Sequence, residues 1–202
     1  MTAALTLYTH PMSRGRIARW MLEETGKPYD TVVLDYGTTM KAPDYLALNP
    51  MGKVPTLRHG DHVVTECAAI CTYLADALPE VGLIPADRAA FYRWMFFGAG
   101  PLEQAVVNQS LGVTVPPERK GMVGYGSLDR VVATLVHRLG EAPYFAGDAF
   151  SAVDVYLGSQ IGWGLRFGTL PSDPALTEYW ARIENRPAAL RARAADDALV
   201  KP

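Results

Sequence analysis

The first 78 residues alternate between the hydrophobic patterns of strands and those of amphipathic helices. Residues 5–7 are apolar or β-branched and predict a first strand. From Ile17 onward, apolar positions recur three and four residues apart, which predicts a helix with Ser13 as its N-cap and Gly26 at its end. Residues 32–34 then predict a second strand.

A hairpin and another helix complete this N-terminal half. Residues 54–57 predict a strand, Gly60-Asp61 a turn, and Val63 the return strand. A helix follows at once, with Glu66 in its first turn. The predicted order is β-α-β, a variable segment, and β-β-α. Residues 79–86 contain two prolines and a glycine and predict a linker that ends the domain 1–78.

Beyond the linker the strand patterns disappear, and residues 87–202 predict an all-helical domain. The segment 113–126 is rich in proline and glycine and predicts a loop. Ser151 and Asp154 have the spacing of a capping box, with Ser151 as the N-cap of its helix. Arg186-Pro187 is predicted to close the last clear helix.

Composition and charge narrow the functional classes. The chain has 202 residues, of which 49% are hydrophobic, and this is ordinary for a globular protein. A net charge of −2 argues against a nucleic-acid partner. No apolar run approaches the roughly 20 residues that a membrane span needs. The start, Met1 to Leu7, lacks the basic region and cleavage site of an export peptide, so we expect a cytoplasmic protein.

The two cysteines are the remaining candidates for metal or redox chemistry. Cys67 and Cys71 are four residues apart and would share a helix face, which suits neither a disulfide nor a complete metal site. We expect two small buried side chains in a reducing compartment. The sequence also lacks the common motifs for nucleotides, for zinc proteases and for serine hydrolases, so no metal is expected.

Three segments carry a family resemblance. They are Asn49-Pro50-Met51-Gly52-Lys53-Val54-Pro55-Thr56-Leu57, Glu66-Cys67-Ala68-Ala69-Ile70-Cys71-Thr72-Tyr73-Leu74, and Gly147-Asp148-Ala149-Phe150-Ser151-Ala152-Val153-Asp154. Each motif alone is weak, but in this order and spacing they resemble the cytosolic, bacterial-like glutathione S-transferases. The resemblance implies an α/β thioredoxin-like N-terminal domain that binds glutathione, an all-α C-terminal helical domain and a homodimer.

The chemistry of glutathione suits the residues that this resemblance implies. Its γ-glutamyl carboxylate favours a helix N-terminus, where Glu66 and Cys67 lie, and Glu66 could accept from the ligand's ammonium group. Val54-Pro55 would be trans on base rates, whereas the resemblance implies a cis bond that presents the Val54 backbone to the cysteinyl unit. Lys41 and Lys53 are candidates for the glycyl carboxylate.

Activation of the glutathione thiol has three candidate residues. A free thiol has a pKa of about 8.5, and a hydroxyl that donates to the sulfur near a helix N-terminus favours the thiolate. Ser13 is suitably placed and resembles the catalytic residue of the serine-type classes, although it could also serve only as a helix cap. Tyr8 and His10, near the end of the first strand, are the alternatives.

The resulting hypothesis is a glutathione transferase that directs the thiolate at an electrophilic, mostly apolar small molecule, as in detoxification. One alternative is a non-catalytic interaction module on the same fold, because fold does not fix function. Another is a glutathione-dependent isomerase or dehalogenase.

Overall fold

The structure, a computed structural model, describes residues 4–200, so residues 1–3 and 201–202 of the predicted domains lie outside the described residues. The chain divides into two compact units. The first unit runs to Val81 and resumes at Arg186, and the second comprises Gly82–Asn185. Buried apolar side chains fill the interior of both units.

The first unit is built on a mixed four-stranded sheet. Its elements are β1 (Leu5–Thr9), α1 (Gly15–Thr25), β2 (Tyr29–Val33), α2 (Pro43–Leu48), β3 (Thr56–His59), β4 (His62–Thr65) and α3 (Cys67–Ala77). The strand order is β2-β1-β3-β4, with β1 parallel to β2 and antiparallel to β3, and β3 antiparallel to β4. Helices α1 and α3 pack on each other, α1 also packs on β1, and α3 on β3 and β4. The predicted α/β thioredoxin-like fold is confirmed.

The core of this unit follows from the periods of its elements. In β1, Leu5 and Leu7 are buried while the residue between them is half-buried, as a period of two requires. In α1, Ile17, Met21 and Leu22 are fully buried, which is the apolar stripe of an amphipathic helix. These apolar faces fix the register of the sheet, because a slip of one residue would expose them.

The second unit is helical. Its elements are α4 (Arg88–Phe97), α5 (Glu103–Ser110), α6 (Leu128–Glu141), α7 (Ala152–Phe167) and α8 (Pro174–Ile183). A π-type turn, Gly98–Leu102, joins α4 to α5. Helix α7 is buried on all sides from Ala152 to Gly162. At Gly162 a Cβ would lie 2.6 Å from the Trp180 ring, so the missing side chain permits the close approach of α8. The predicted all-helical arrangement is confirmed for the described residues of this unit.

The capping box at the start of α7 is confirmed. The Ser151 hydroxyl accepts from the Val153 backbone N–H at 3.3 Å, and the Asp154 carboxylate accepts from the Ser151 backbone N–H at 2.9 Å. Both side chains are buried within a helix end, so the pair has a structural role.

One helix was missed by the sequence prediction. Helix α9 (Pro187–Asp197) begins at the proline that was expected to close the preceding helix, and it packs on α1 within the first unit. Proline is favoured at the first position of a helix, and the alanine-rich run after it has high helix propensity. The assignment of residues 87–202 to a single helical domain is therefore corrected for α9.

Candidate functional site

The sheet register gathers the candidate residues of the first unit at one edge. Tyr8 pairs with Val32 on one side and with Thr56 on the other, and Thr56 pairs with Thr65. The ends of β1, β2 and β4 and the start of β3 therefore share one edge of the sheet, hereafter the site edge. The candidates in the loops that leave or enter this edge are Ser13, Lys41, Val54, Pro55, Glu66 and Cys67.

Residues 10–13, hereafter the Ser13 loop, connect β1 to α1. The Ser13 hydroxyl donates to the His10 carbonyl at 2.6 Å and accepts from the Gly15 backbone N–H at 2.9 Å. The observed N-cap residue of α1 is Arg14, so Ser13, the predicted N-cap, lies one residue before it. The hydroxyl still binds an N–H group of the first turn, which partly replaces the expected cap.

Two longer side chains also hold the Ser13 loop. The Tyr36 hydroxyl donates to the Met12 carbonyl at 2.8 Å, and the Arg16 Nε–H donates to the Pro11 carbonyl. The other end of the Arg16 guanidinium donates to Asp197 at 2.7 Å. Three successive carbonyl groups of the loop therefore accept hydrogen bonds from side chains.

A buried threonine lies beneath this loop. Thr9 is fully buried, and its hydroxyl has no hydrogen-bond partner among the described residues. A Cβ on Gly15 would lie 1.9 Å from the Thr9 Oγ1 atom, so only glycine permits this approach of β1 to the start of α1.

The turn before β3 contains a cis peptide bond between Val54 and Pro55. The Lys53 carbonyl accepts from the Tyr45 hydroxyl and, at 2.8 Å, from the Asn49 side-chain amide. The Tyr45 hydroxyl also shares a hydrogen bond of 2.8 Å with the Thr56 hydroxyl. Burial raises the pKa of Tyr45, which keeps its hydroxyl protonated as a donor. This buried polar network holds the turn, and no local sequence signal marks Tyr45, Asn49 and Thr56 as its members.

The two lysine candidates flank the same turn. The Lys41 ammonium group donates to the Gly52 carbonyl at 2.7 Å, and Lys53 is exposed. Lys41, which follows β2, therefore lies beside the peptide group that joins Gly52 to Lys53, in the segment that leads into Pro55.

Glu66 and Cys67 lie at the start of α3. Glu66 is the N-cap residue rather than part of the first turn, and its backbone has φ 65° and ψ 120°. Among the described residues it is the one non-glycine with positive φ, a conformation whose cost is typical of functional sites. The Cys67 thiol is nearly buried and donates to the Arg14 carbonyl at 3.6 Å, which joins the start of α3 to the start of α1. Burial, with the contact to Cys67, raises the pKa of Cys71 well above its usual value.

The two alternative thiol-activating residues have other contacts. Tyr8 is half-buried, with its ring centroid 5.7 Å from that of Tyr45. The His10 ring lies 4.5 Å from the Tyr36 ring, and its Nδ1 atom accepts from the Met12 backbone N–H at 3.1 Å. An accepting Nδ1 places the proton of a neutral His10 on Nε2.

Two further features, a metal cluster and a membrane-spanning helix, are absent from residues 4–200. Those residues contain no cluster of three or more His, Cys, Asp or Glu side chains suited to a metal ion. Over the same range, no helix has the length and apolar character needed to cross a membrane.

This chain resembles known proteins in sequence and in fold. Residues 3–76 match the family model of the glutathione S-transferase N-terminal domain, and residues 122–187 match that of its C-terminal domain. Glutathione S-transferase GST-4.5 of Xanthomonas campestris is 30% identical over 190 residues, covering 89% of this chain and 92% of the relative. Glutathione S-transferase GstB of Escherichia coli is 31% identical over 180 residues, covering 83% and 86%. The solved structure of a sphingomonad glutathione S-transferase complexed with glutathione is 30% identical, has a TM-score of 0.77, and the alignment covers 95% of this chain and 98% of that one.

Proposed function

Since the chain belongs to the glutathione S-transferase family and is a glutathione transferase, we propose that its first unit binds reduced glutathione along the site edge and activates the thiol with Ser13. The observation that carries this proposal is the sheet register, in which the Ser13 loop, the Val54–Pro55 turn and the start of α3 share one edge. An extended tripeptide along that edge would reach all three.

The γ-glutamyl unit of the ligand is assigned to the start of α3. The backbone N–H groups of the first turn, including that of Cys67, have no partner within the helix and favour a carboxylate. The Glu66 carboxylate, which is exposed, would accept from the ligand's ammonium group. The positive φ of Glu66 supports this role, because unfavourable backbone geometry persists where function requires it.

The cysteinyl and glycyl units are assigned to the turn before β3. The N–H and C=O groups of Val54 would pair with the cysteinyl backbone as a neighbouring strand does. Lys53 and Lys41 would bind the glycyl carboxylate. Lys41 uses one donor on the Gly52 carbonyl, and an ammonium group has two more for the ligand.

Ser13 is assigned to the thiol. Its hydroxyl would rotate from the His10 carbonyl and donate to the glutathione sulfur, which stabilises the thiolate after its proton passes to solvent. In a substitution, a sulfur lone pair forms the new S–C bond and the leaving group departs with its bonding electrons. No metal takes part. Tyr8 and His10 remain the alternative activating residues.

We infer a cytoplasmic homodimer that acts on mostly apolar electrophiles, as in detoxification. Light scattering coupled to size exclusion tests the dimer, and a panel of aryl halides, epoxides and organic peroxides tests the electrophile class.

A glutathione titration tests the central proposal. Thiolate absorbance in the ultraviolet is followed against pH with the protein in excess. We expect saturable binding and a thiol pKa below the free value of about 8.5. The absence of binding would contradict the site, whereas binding with an unchanged pKa would contradict thiol activation alone.

A further inference from the structure

The carbonyl groups of the Ser13 loop accept hydrogen bonds from side chains in different parts of the first unit. The His10 carbonyl is held within the loop by Ser13 itself, and the Met12 carbonyl is held by Tyr36. The Pro11 carbonyl is held by Arg16, whose guanidinium is also bound by Asp197 at the end of α9. Through this last contact, the loop between β1 and α1 is connected to the final helix of the chain.

Helix α9 is itself firmly attached to α1. Arg19 and Asp196 form a buried ion pair at 2.8 Å, with side chains 4% and 0% exposed. Arg186 binds the Glu24 carboxylate with two parallel hydrogen bonds of 2.7 and 2.9 Å. A bidentate pair and a buried pair both restrict orientation. The backbone next to Asp197 is therefore fixed at Asp196, and Asp197 is presented to Arg16.

The charges along this contact oppose the dipoles of their own helices. In α1, Arg16 lies in the first turn and Glu23 lies near the end. In α9, Arg186 is the N-cap residue and Asp197 is the last residue. Cations near a helix start and anions near a helix end are locally unfavourable. Pairing between the helices compensates for this, so the charges serve the contact rather than either helix alone.

We propose that Asp197 is a positioning residue for the transferase reaction: it orients Arg16, which fixes the Pro11 carbonyl and thereby the loop that presents Ser13. The inference rests on the proposed function, because it assigns α9 a role in the geometry of the activating hydroxyl. This role requires no contact between glutathione and either Asp197 or Arg16.

The test is Asp197→Ala in the full-length protein. We expect kcat to fall by about 10-fold, less than the roughly 100-fold that a 1 Å misplacement can cost, with the KM for glutathione nearly unchanged. The apparent pKa of the bound thiol in the pH–rate profile should rise. Because the Arg16 and Asp197 side chains are 24% and 58% exposed, the melting temperature should change by no more than about 4 °C.

The matched control is Arg191→Ala. Arg191 pairs with Glu23 at 2.8 Å in the same contact, away from the Ser13 loop, and its loss should leave kcat and the thiol pKa unchanged. Arg16→Ala and the double variant Arg16→Ala/Asp197→Ala should have equal activity, because Asp197 acts through Arg16.

The outcomes separate this inference from the proposed function. Equal kcat values for Asp197→Ala and the native protein, or equal losses for Asp197→Ala and Arg191→Ala, would overturn the positioning role. If Ser13→Ala retains full activity, the proposed activating residue is wrong, and the inference falls with it. A slow Ser13→Ala beside a fully active Asp197→Ala would reject only the inference.

Discussion

Replacement of Asp154 should destabilise the second unit far more than loss of a helix cap. Asp154 is fully buried, and its carboxylate accepts from the Ser151 backbone and hydroxyl, the Phe145 backbone N–H and the Tyr179 hydroxyl, at 2.8 to 3.2 Å. The carboxylate therefore joins the start of α7 both to the segment before it and to α8.

The magnitude follows from the donors that Asp154→Ala would leave without a partner. The N–H groups of Phe145 and Ser151 and the hydroxyl of Tyr179 are buried, and each unsatisfied group costs about 1 to 3 kcal/mol. Some relaxation will reduce the sum, so we expect a loss of about 3 to 5 kcal/mol, typical of a broken buried network. For a chain of this size, that lowers the melting temperature by roughly 6 to 20 °C.

The assay is thermal and urea unfolding followed by far-ultraviolet circular dichroism, with turnover measured on the folded fraction. Ser151→Ala removes the cap and one donor to Asp154 but leaves the three buried donors above paired, so it should cost about 0.5 to 2 kcal/mol. Turnover per folded molecule should be unchanged in both variants, because the pair is structural. If Asp154→Ala is no less stable than Ser151→Ala, the hydrogen bonds to the Asp154 carboxylate do not stabilise the second unit as stated. Reduced turnover at native stability would contradict the structural role.

The pH dependence of folding stability supplies a second test of the role of Asp154. Burial raises the pKa of Asp154 above 3.8, although hydrogen bonds from Tyr179, Phe145 and Ser151 act in the opposite direction. The folded protein then binds this proton more tightly than the unfolded chain. The stability that this proton contributes to the folded state is fully present below pH 3.8, and it is lost as the pH rises through the pKa of folded Asp154. The stability of the native protein relative to Asp154→Asn should therefore increase as pH is lowered from about 7 to about 4.

Three further predictions concern the proposed glutathione site. Glu66→Ala should weaken glutathione binding by about 1.5 to 3 kcal/mol without unfolding, and native affinity by calorimetry in the folded variant would remove Glu66 from the site. Ser13→Ala should raise the pKa of the bound thiol and slow conjugation, with little change in glutathione affinity. If Ser13→Ala is fully active while Tyr8→Phe or His10→Ala loses activity, the activating residue is Tyr8 or His10 instead. Cys67→Ser should tighten binding under reducing conditions by roughly 0.5 to 1.5 kcal/mol, because a hydroxyl is a better donor than a thiol, and weaker binding would give the thiol a role of its own.

Much of the fold could be predicted because its signals are local. The change from strand to helix periods in the N-terminal half and their loss after residue 86 predict the two kinds of structure. Helix α9 was missed because Arg186-Pro187 is compatible with both a helix end and a helix start. What decides between them is the packing of α9 on α1, and that contact joins distant parts of the chain.

The candidate site could be predicted only in outline. The spacing of the motifs indicated Val54–Pro55 and Glu66 as candidate glutathione-binding residues. The register of β3 and β4 explains why these residues lie at the same edge of the sheet. The hydrogen bonds and backbone geometry that hold these residues in place could not be predicted in the same way. Tyr45 and Asn49 have no local signature as donors to the Lys53 carbonyl, and the positive φ of Glu66 depends on the packing around it.

The division of the first unit between both ends of the chain has a consequence for biosynthesis. Residues up to Val81 leave the ribosome before Gly82–Asn185, and all of Gly82–Asn185 is synthesised before α9 appears. Domains commonly fold from the N-terminus during translation, yet α1 cannot acquire its ion pairs with α9 until all of Gly82–Asn185 has been made. The thioredoxin-like unit thus begins to emerge before the helical unit but can be completed only after it.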